Sequence, residues 1–290
     1  MNALTEDELI IALEKALPEI AEDHQAAATP WKPHDWVPWD LGRNFAFLGG
    51  DDWDASQRTI SDEARAGVLA LLLTKDNLPS YHRVLAKHFP AFSDWRALVG
   101  VWTAEDNRHA IVLRDYLVVT RAIDPVDAEE RRRIHVTAGY RQHEEAVSSL
   151  GPMDVLALMA VHENQCAAYI GKLSAAITDD VFAQILAMIA ADDAVQAATF
   201  EAFLNAGLVA DPEATVLAVD RAIARCATEP IGFDIVDFDA EKALIAGYED
   251  DETRTAVAAA IADALKLDSV QGLGEDAEAA RLRVLAAAGR

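Results

Sequence analysis

W-T-A-E-D-N-R-H, residues 102–109, sits inside a long helical pattern that runs from about Ala91 to Arg121. Asp106 and His109 are three residues apart, so on a helix they share a face and can grip one ion from the same side. An acid three residues before a histidine is also common on a solvated helix, so the pair alone decides little. It gains meaning if other helices supply inward polar groups. The recurring metal-carboxylate bundle takes one carboxylate from each of two helices and an acid-x-x-His pair from each of the other two.

Three further helical stretches meet that requirement in position. The first starts at Ser61 with Glu63 and carries an apolar stripe of Val68, Leu71, Leu72, Leu78 and Leu85, with Lys75 on the stripe. Pro79 cannot donate to the carbonyl of Lys75, so this helix is expected to kink or loosen there. Residues 152–177 place Glu163 among Leu156, Met159, Cys166 and Ile170, and residues 179–207 place Asp193 and Gln196 among Ile185, Ile189 and Phe200. Asp179 is placed to cap the latter helix. Buried polar groups need partners, so these positions are not idle. A helix over about 125–144 carries Arg131, Arg132 and Arg133.

The flanking segments read as additions to such a bundle. Residues 4–21 have helical spacing, with Thr5 and Glu8 as a capping box. From Thr29 to Asp54 the periodicity stops among Pro, Gly and Trp, which predicts an ordered loop wrapping the helices, since so many indoles are not left in water. After Asp211 shorter helices are broken at Pro230, Gly232, Gly247 and Gly272–Gly274 and end in an Ala-rich helix near 276–288. No alternation suited to sheets occurs, so the expected class is all-α, one domain over 1–290.

A formal net charge of −24 over 290 residues repels phosphate backbones and anionic membranes, which argues against nucleic acid as a partner. Cys166 and Cys226 form no C-x-x-C motif and suggest a reducing compartment. The start, M-N-A-L-T-E-D-E-L-I, lacks a signal-peptide pattern. No apolar run is read as approaching the roughly 18 residues of a membrane span, so a cytoplasmic location is expected.

Several spaced segments resemble one family. D-N-L-P-S-Y-H-R at 76–83, W-T-A-E-D-N-R-H at 102–109, R-D-Y-L-V-V-T-R at 114–121 and I-A-A-D-D at 189–193 look like signatures of the soluble acyl-carrier-protein desaturases, actinobacterial members included. W-K-P-H-D-W-V-P-W and N-F-A-F-L-G-G-D-D-W, within 31–53, agree as well. The resemblance covers about 30–205. It implies a ferritin-like bundle and homodimer in which two irons activate O2 and desaturate an acyl chain carried on acyl carrier protein, with electrons from ferredoxin. The metal is a chemical necessity there, because no side chain abstracts hydrogen from an unactivated methylene.

Carried over by position, Asp106, His109, Glu163 and Asp193 fall on metal-ligand positions, with Asp for Glu at 106 and 193. Trp31 and Asp192 fall where the family links a tryptophan and an aspartate to the ligand histidine, a route for electron entry. Lys75 stands where the family has a glutamate, and Gln196 where it has the second histidine. A protonated Lys cannot bind metal, and Gln offers a weak amide oxygen. One iron or none is therefore expected, with the ammonium salt-bridged to the acids in the metal's place. Asp76, a quarter-turn away, is the substitute ligand to check.

Arg131, Arg132 and Arg133 are the expected docking patch for an acidic carrier protein, with His82, Arg83, Lys87 and His88 as a second patch. Three readings follow: a family member that binds acyl chain and carrier with impaired oxygen chemistry, an active desaturase, or a structural or single-metal bundle. The changes at 75 and 196 favour the first, since removing ligands abolishes two-metal chemistry.

Overall fold

The computed structural model describes residues 4–89, 93–139 and 149–290. Among these it is all helix and connecting turn. Four helices form the centre: α3 (Asp62–Asp76), α5 (Trp95–Thr120), α7 (Pro152–Ser174) and α8 (Asp180–Ala210), each packed against two of the others around a ring. Their starts are written in the sequence. Ser61 Oγ accepts from the Ala64 amide, Asp179 accepts from Phe182, and Pro152 occupies the first turn of α7, where a missing N–H costs nothing.

The expected kink at Pro79 is a full break. Helix α3 ends at Asp76, Asn77 caps it, and α4 (Leu78–His88) restarts with Pro79 in its first turn. The N-terminal stretch is likewise two helices, α1 (Glu6–Glu14) and α2 (Leu17–Ala27), rather than one over 4–21. Pro18 fits only a first turn, so it starts the second. The Thr5–Glu8 capping box forms as expected. Helix α6 (Pro125–Ile134) is shorter than the 125–144 expected. It passes into a wider turn at His135–Gly139, and residues 140–144 lie outside the described residues.

Apolar residues fall into two clusters stacked along the bundle. One holds Val68, Leu72, Leu113, Leu117, Ile170, Phe182 and Ile189; the other holds Leu85, Trp95, Trp102, Leu156, Met159, Phe200 and Leu204. On every central helix the boundary between the two is the level of residues 75, 106–109, 163 and 193–196. The polar positions read from the sequence thus form one layer sandwiched between two hydrophobic plugs.

Helix α8 is long and apolar enough to cross a membrane by length and composition, which corrects the expectation that no such run exists. Its Phe182, Ile185, Ile189, Phe200 and Phe203 are buried against neighbouring helices, and α1, α2, α5 and α7 all pack on it. That is the position of a core helix.

The loop before α3 wraps the bundle as short helical turns between Pro33 and Gln57. It is buttoned down by Arg121, the left-handed residue (φ 55°) that ends α5. The Arg121 guanidinium is buried, donates to the carbonyls of Asp51 (2.7 Å) and Asn44 (3.0 Å), and lies 4.5 Å over the Phe45 ring. Trp53 Nε1 donates back to the Arg121 carbonyl at 3.1 Å. Not every indole is covered: Trp39 is half exposed.

The C-terminal helices α9 (Pro212–Thr228), α10 (Asp239–Ile245), α11 (Asp251–Ala264) and α12 (Glu275–Ala287) cover α7 and one face of α3. Buried Glu249 fastens them, accepting from Gln165 Nε2 on α7 and from the Ile231 amide. The break expected at Gly247 falls in the short 3-10 turn Ala246–Glu249 that separates α10 from α11. Tyr248 packs over Gly67, where an added Cβ would come within 2.6 Å of its ring.

Candidate metal centre

Lys75, Asp106, His109, Glu163, Asp193 and Gln196 are all buried and converge at the middle of the bundle, each at most 2% exposed. The Lys75 ammonium is at the centre. It donates to Asp106 Oδ1 at 2.9 Å and Asp193 Oδ1 at 2.8 Å, and lies 3.8 Å from Glu163 Oε2. Burial works against its charge, but Asp106 and Asp193 outweigh that penalty and hold its pKa well above the usual lysine value. Burial likewise opposes the Asp106 carboxylate, and the Lys75 and His109 charges overcome it, keeping that carboxyl far below the usual range.

His109 is bound on both sides. Nδ1 faces Asp106 Oδ1 at 3.1 Å and Nε2 faces Asp192 Oδ2 at 2.9 Å. Two carboxylate partners suit an imidazolium that donates twice, and although burial pulls its pKa down, those bonds raise it to about 9. Asp192 also takes Arg108 through Nε (3.0 Å) and Nη2 (2.7 Å) and Trp31 Nε1 at 2.9 Å, while the Trp31 ring lies parallel to the imidazole, 6.1 Å away. The Trp31–Asp192–His109 chain expected from sequence is therefore present. Arg108 is the member the sequence reading missed, although it lies inside the opening motif.

Glu163 differs from the other acids. Burial raises its carboxyl to about 8 despite Lys75, so at neutral pH it is mostly protonated, and Trp102 Nε1 donates to its Oε1 at 2.9 Å. Burial also raises the Asp193 carboxyl, against the pull of Lys75 and His109.

Asp193 and Gln196 do not bond each other. Gln196 Nε2 donates to Glu105 Oε2 at 3.4 Å, and Glu105 also meets His24 Nε2 at 3.0 Å, with His24 Nδ1 2.8 Å from Thr199 Oγ1. Glu105 and His24 were not singled out from sequence; no motif marks a contact between positions 81 residues apart. Behind the layer, His162 Nε2 is 3.6 Å from Cys166 Sγ.

Asp106, His109 and Asp193 can bring one ligand atom each within 4.8 Å of the others, a possible metal-binding triad. The side chains at the centre are already engaged with one another. The Asp106 and Asp193 oxygens that face the centre already accept from the Lys75 ammonium. His109 must lose a proton before it can ligate. Gln196 turns its amide nitrogen to Glu105, and Asp76 is no substitute, because it pairs with Arg132 instead. Three buried oxygens, Glu163 Oε2, Asp193 Oδ2 and Gln196 Oε1, have no hydrogen-bond partner among the described residues, which leaves acceptor capacity for a proton, a water or a single ion.

The three arginines of the expected docking patch are engaged within the chain. Arg131 pairs with Asp127 and Glu241, Arg132 with Asp76 and Glu129, and Arg133 with Glu130. In the second patch His82 Nδ1 meets Thr103 Oγ1 and His88 Nε2 meets the Leu150 carbonyl.

Comparison with known proteins points to one family. A fatty acid desaturase family model matches residues 5–285, which includes the C-terminal helices that the signature segments left unassigned. DesA1 of Mycobacterium tuberculosis, which carries the name of an acyl-ACP desaturase, is 38% identical over 193 residues, 66% of this chain and 57% of that protein. DesA2 of the same organism, similarly named, is 40% identical over 187 residues, 64% of this chain and 66% of that protein. The matched stretch thus spans less than two thirds of the length of each. The X-ray structure of DesA2 from strain H37Rv superposes with a TM-score of 0.72 at 28% identity, covering 94% of this chain and 98% of that one.

Proposed function

The chain belongs to the fatty acid desaturase family, and from that premise we propose that it binds an acyl chain presented on acyl carrier protein but does not carry out two-iron oxygen chemistry. One observation supports this reading: the Lys75 ammonium is buried and hydrogen-bonded to both Asp106 and Asp193, the two acids a metal would need. An oxygen-activating desaturase needs both irons and a path for electrons. Here the path, Trp31–Asp192–His109, leads to an imidazolium and an ion pair, so ferredoxin has nothing to reduce.

Arg133 is the most exposed of the three arginines on α6, its side chain 61% accessible, and exchanging Glu130 for a carrier carboxylate costs little at a solvated site. The scaffold and its acyl-carrier partner are retained in this reading, and a cytoplasmic location follows from the partner.

A second reading, a single divalent ion on Asp106, His109 and Asp193, is favoured by the three buried oxygens without partners. Metal content separates the readings. Protein loaded anaerobically with ferrous iron and washed is expected to retain at most one iron per chain while binding acyl-ACP in a pull-down or calorimetric titration. Two irons per chain with an oxo-bridged absorption band, and a desaturated product with ferredoxin, reductase and O2, refute the proposal.

A further inference from the structure

A cavity of about 130 Å3 opens between α4, α7, α9 and the segment around Pro230. Thr74 and His162, which precede Lys75 and Glu163 in the chain, belong to its wall, so it backs onto the polar layer. Its size is near that of a protein cavity of roughly 150 Å3 that holds benzene, which corresponds to about six carbons. The space beside Trp102, ringed by Phe89, Trp95, Leu156 and Phe200, measures about 10 Å3, at or below the roughly 10–15 Å3 that a single water needs.

The wall mixes apolar side chains, Val84, Met159, Ala222 and Ile231 among them, with polar ones, Thr74, Tyr81, Gln165, Arg225, Glu229 and Asp234, and with one imidazole, His162. The His162 ring packs 4.4 Å from Tyr81, and its only hydrogen-bond partner among the described residues is the Cys166 thiol, a weak one at 3.6 Å. One of its ring nitrogens is left without a bond among the described residues, whereas Asp234 in the same wall accepts from Asn77 Nδ2 at 3.3 Å. Gln165, also in the wall, is spent on Glu249, and Arg225 is spent on Glu229 at 2.5 Å, so neither is available to hold a free carboxylate.

Resting on the acyl-binding reading above, we propose that this cavity takes a short acyl thioester bearing a hydroxyl or keto oxygen, which His162 hydrogen-bonds. The apolar parts of the wall take the carbons, the volume limits their number, and the imidazole selects the oxygen, since leaving a buried polar group unpaired penalises a plain hydrocarbon chain.

Calorimetric titration with hexanoyl-, 3-hydroxyhexanoyl- and palmitoyl-pantetheine tests the proposal, with circular dichroism melts confirming that each variant is folded. One neutral hydrogen bond predicts about fivefold tighter binding of the hydroxylated chain than of hexanoyl. His162→Leu removes that preference and His162→Gln restores part of it. Ala222→Phe, which fills the cavity, weakens both short chains at least tenfold. Tightest binding of palmitoyl overturns the short-chain inference while leaving the acyl-binding reading intact. Equal affinity for the hydroxylated and plain six-carbon chains in the wild type overturns the role of His162. If none of the three thioesters nor any acyl-ACP binds the folded protein, both this inference and the reading beneath it fail.

Discussion

Replacing Lys75 by Met tests the central claim most directly. Methionine keeps most of the side chain's volume and removes only the charge, leaving Asp106 and Asp193 to face each other without the ammonium that lies 2.9 and 2.8 Å from them. Removing one partner of a buried ion pair costs about 3–5 kcal/mol, because the remaining charge is neither solvated nor paired. For a chain of this size each kcal/mol shifts Tm by about 2–4 °C, so a fall of roughly 6–20 °C is expected at pH 7. The loss should shrink in acid, where the orphaned carboxylates take up protons. It should also be reversed in part by millimolar Mn2+ or Zn2+, which stabilises any folded state that binds it. Differential scanning calorimetry of both proteins, with and without metal, reads all three effects. An unchanged Tm at pH 7, or metal stabilisation of the wild type equal to that of the variant, refutes the reasoning.

Three more predictions concern the layer and its surroundings. The Glu163 carboxyl, at about 8, and the His109 imidazolium, at about 9, are both raised above their unfolded values of about 4.3 and 6.5. The unfolded chain therefore binds fewer protons across roughly pH 4.3–8 for the first group and 6.5–9 for the second, and stability falls as pH rises through those windows. Melting temperatures should decline from pH 6 to 9, and Glu163→Gln should flatten the curve below pH 8; a rising profile contradicts this. Arg121→Met removes the buried bonds to Asp51 and Asn44, which costs about 1.5–3 kcal/mol and should open the chain near Phe45 and Phe47 to chymotrypsin; unchanged cleavage there counts against the buttoning role. Gly67→Ala forces a Cβ against Tyr248 and Leu173 and should cost about 1–3 kcal/mol by overpacking, measured by urea unfolding.

The central helices and their polar layer were legible from sequence because helical periodicity puts Lys75, Glu163 and Asp193 on apolar stripes, and burial of a charge on such a stripe demands partners. The break at Asn77 was half legible. Proline announces a disturbance, but whether a helix kinks or restarts depends on packing of α4 against α5 and α7, which no local pattern encodes. The Glu105–His24 bond and the covering of α7 by the C-terminal helices depend on contacts between distant segments, so nothing nearby in sequence signals them. The membrane-span expectation fails for α8 because an unbroken apolar run is a stricter criterion than mean hydropathy over a helical window, which tolerates interrupting polar residues. Helix α8 carries such residues in Asp192 and Asp193, which are paired inside the protein.

The positive charge at the heart of the bundle is attached to the backbone, so every newly made molecule arrives with its own. It cannot be chelated, lost to a competing ion or changed in oxidation state, and its supply matches the supply of chains. Cells starved of iron should therefore accumulate this protein at the same level, and with the same melting behaviour, as replete cells.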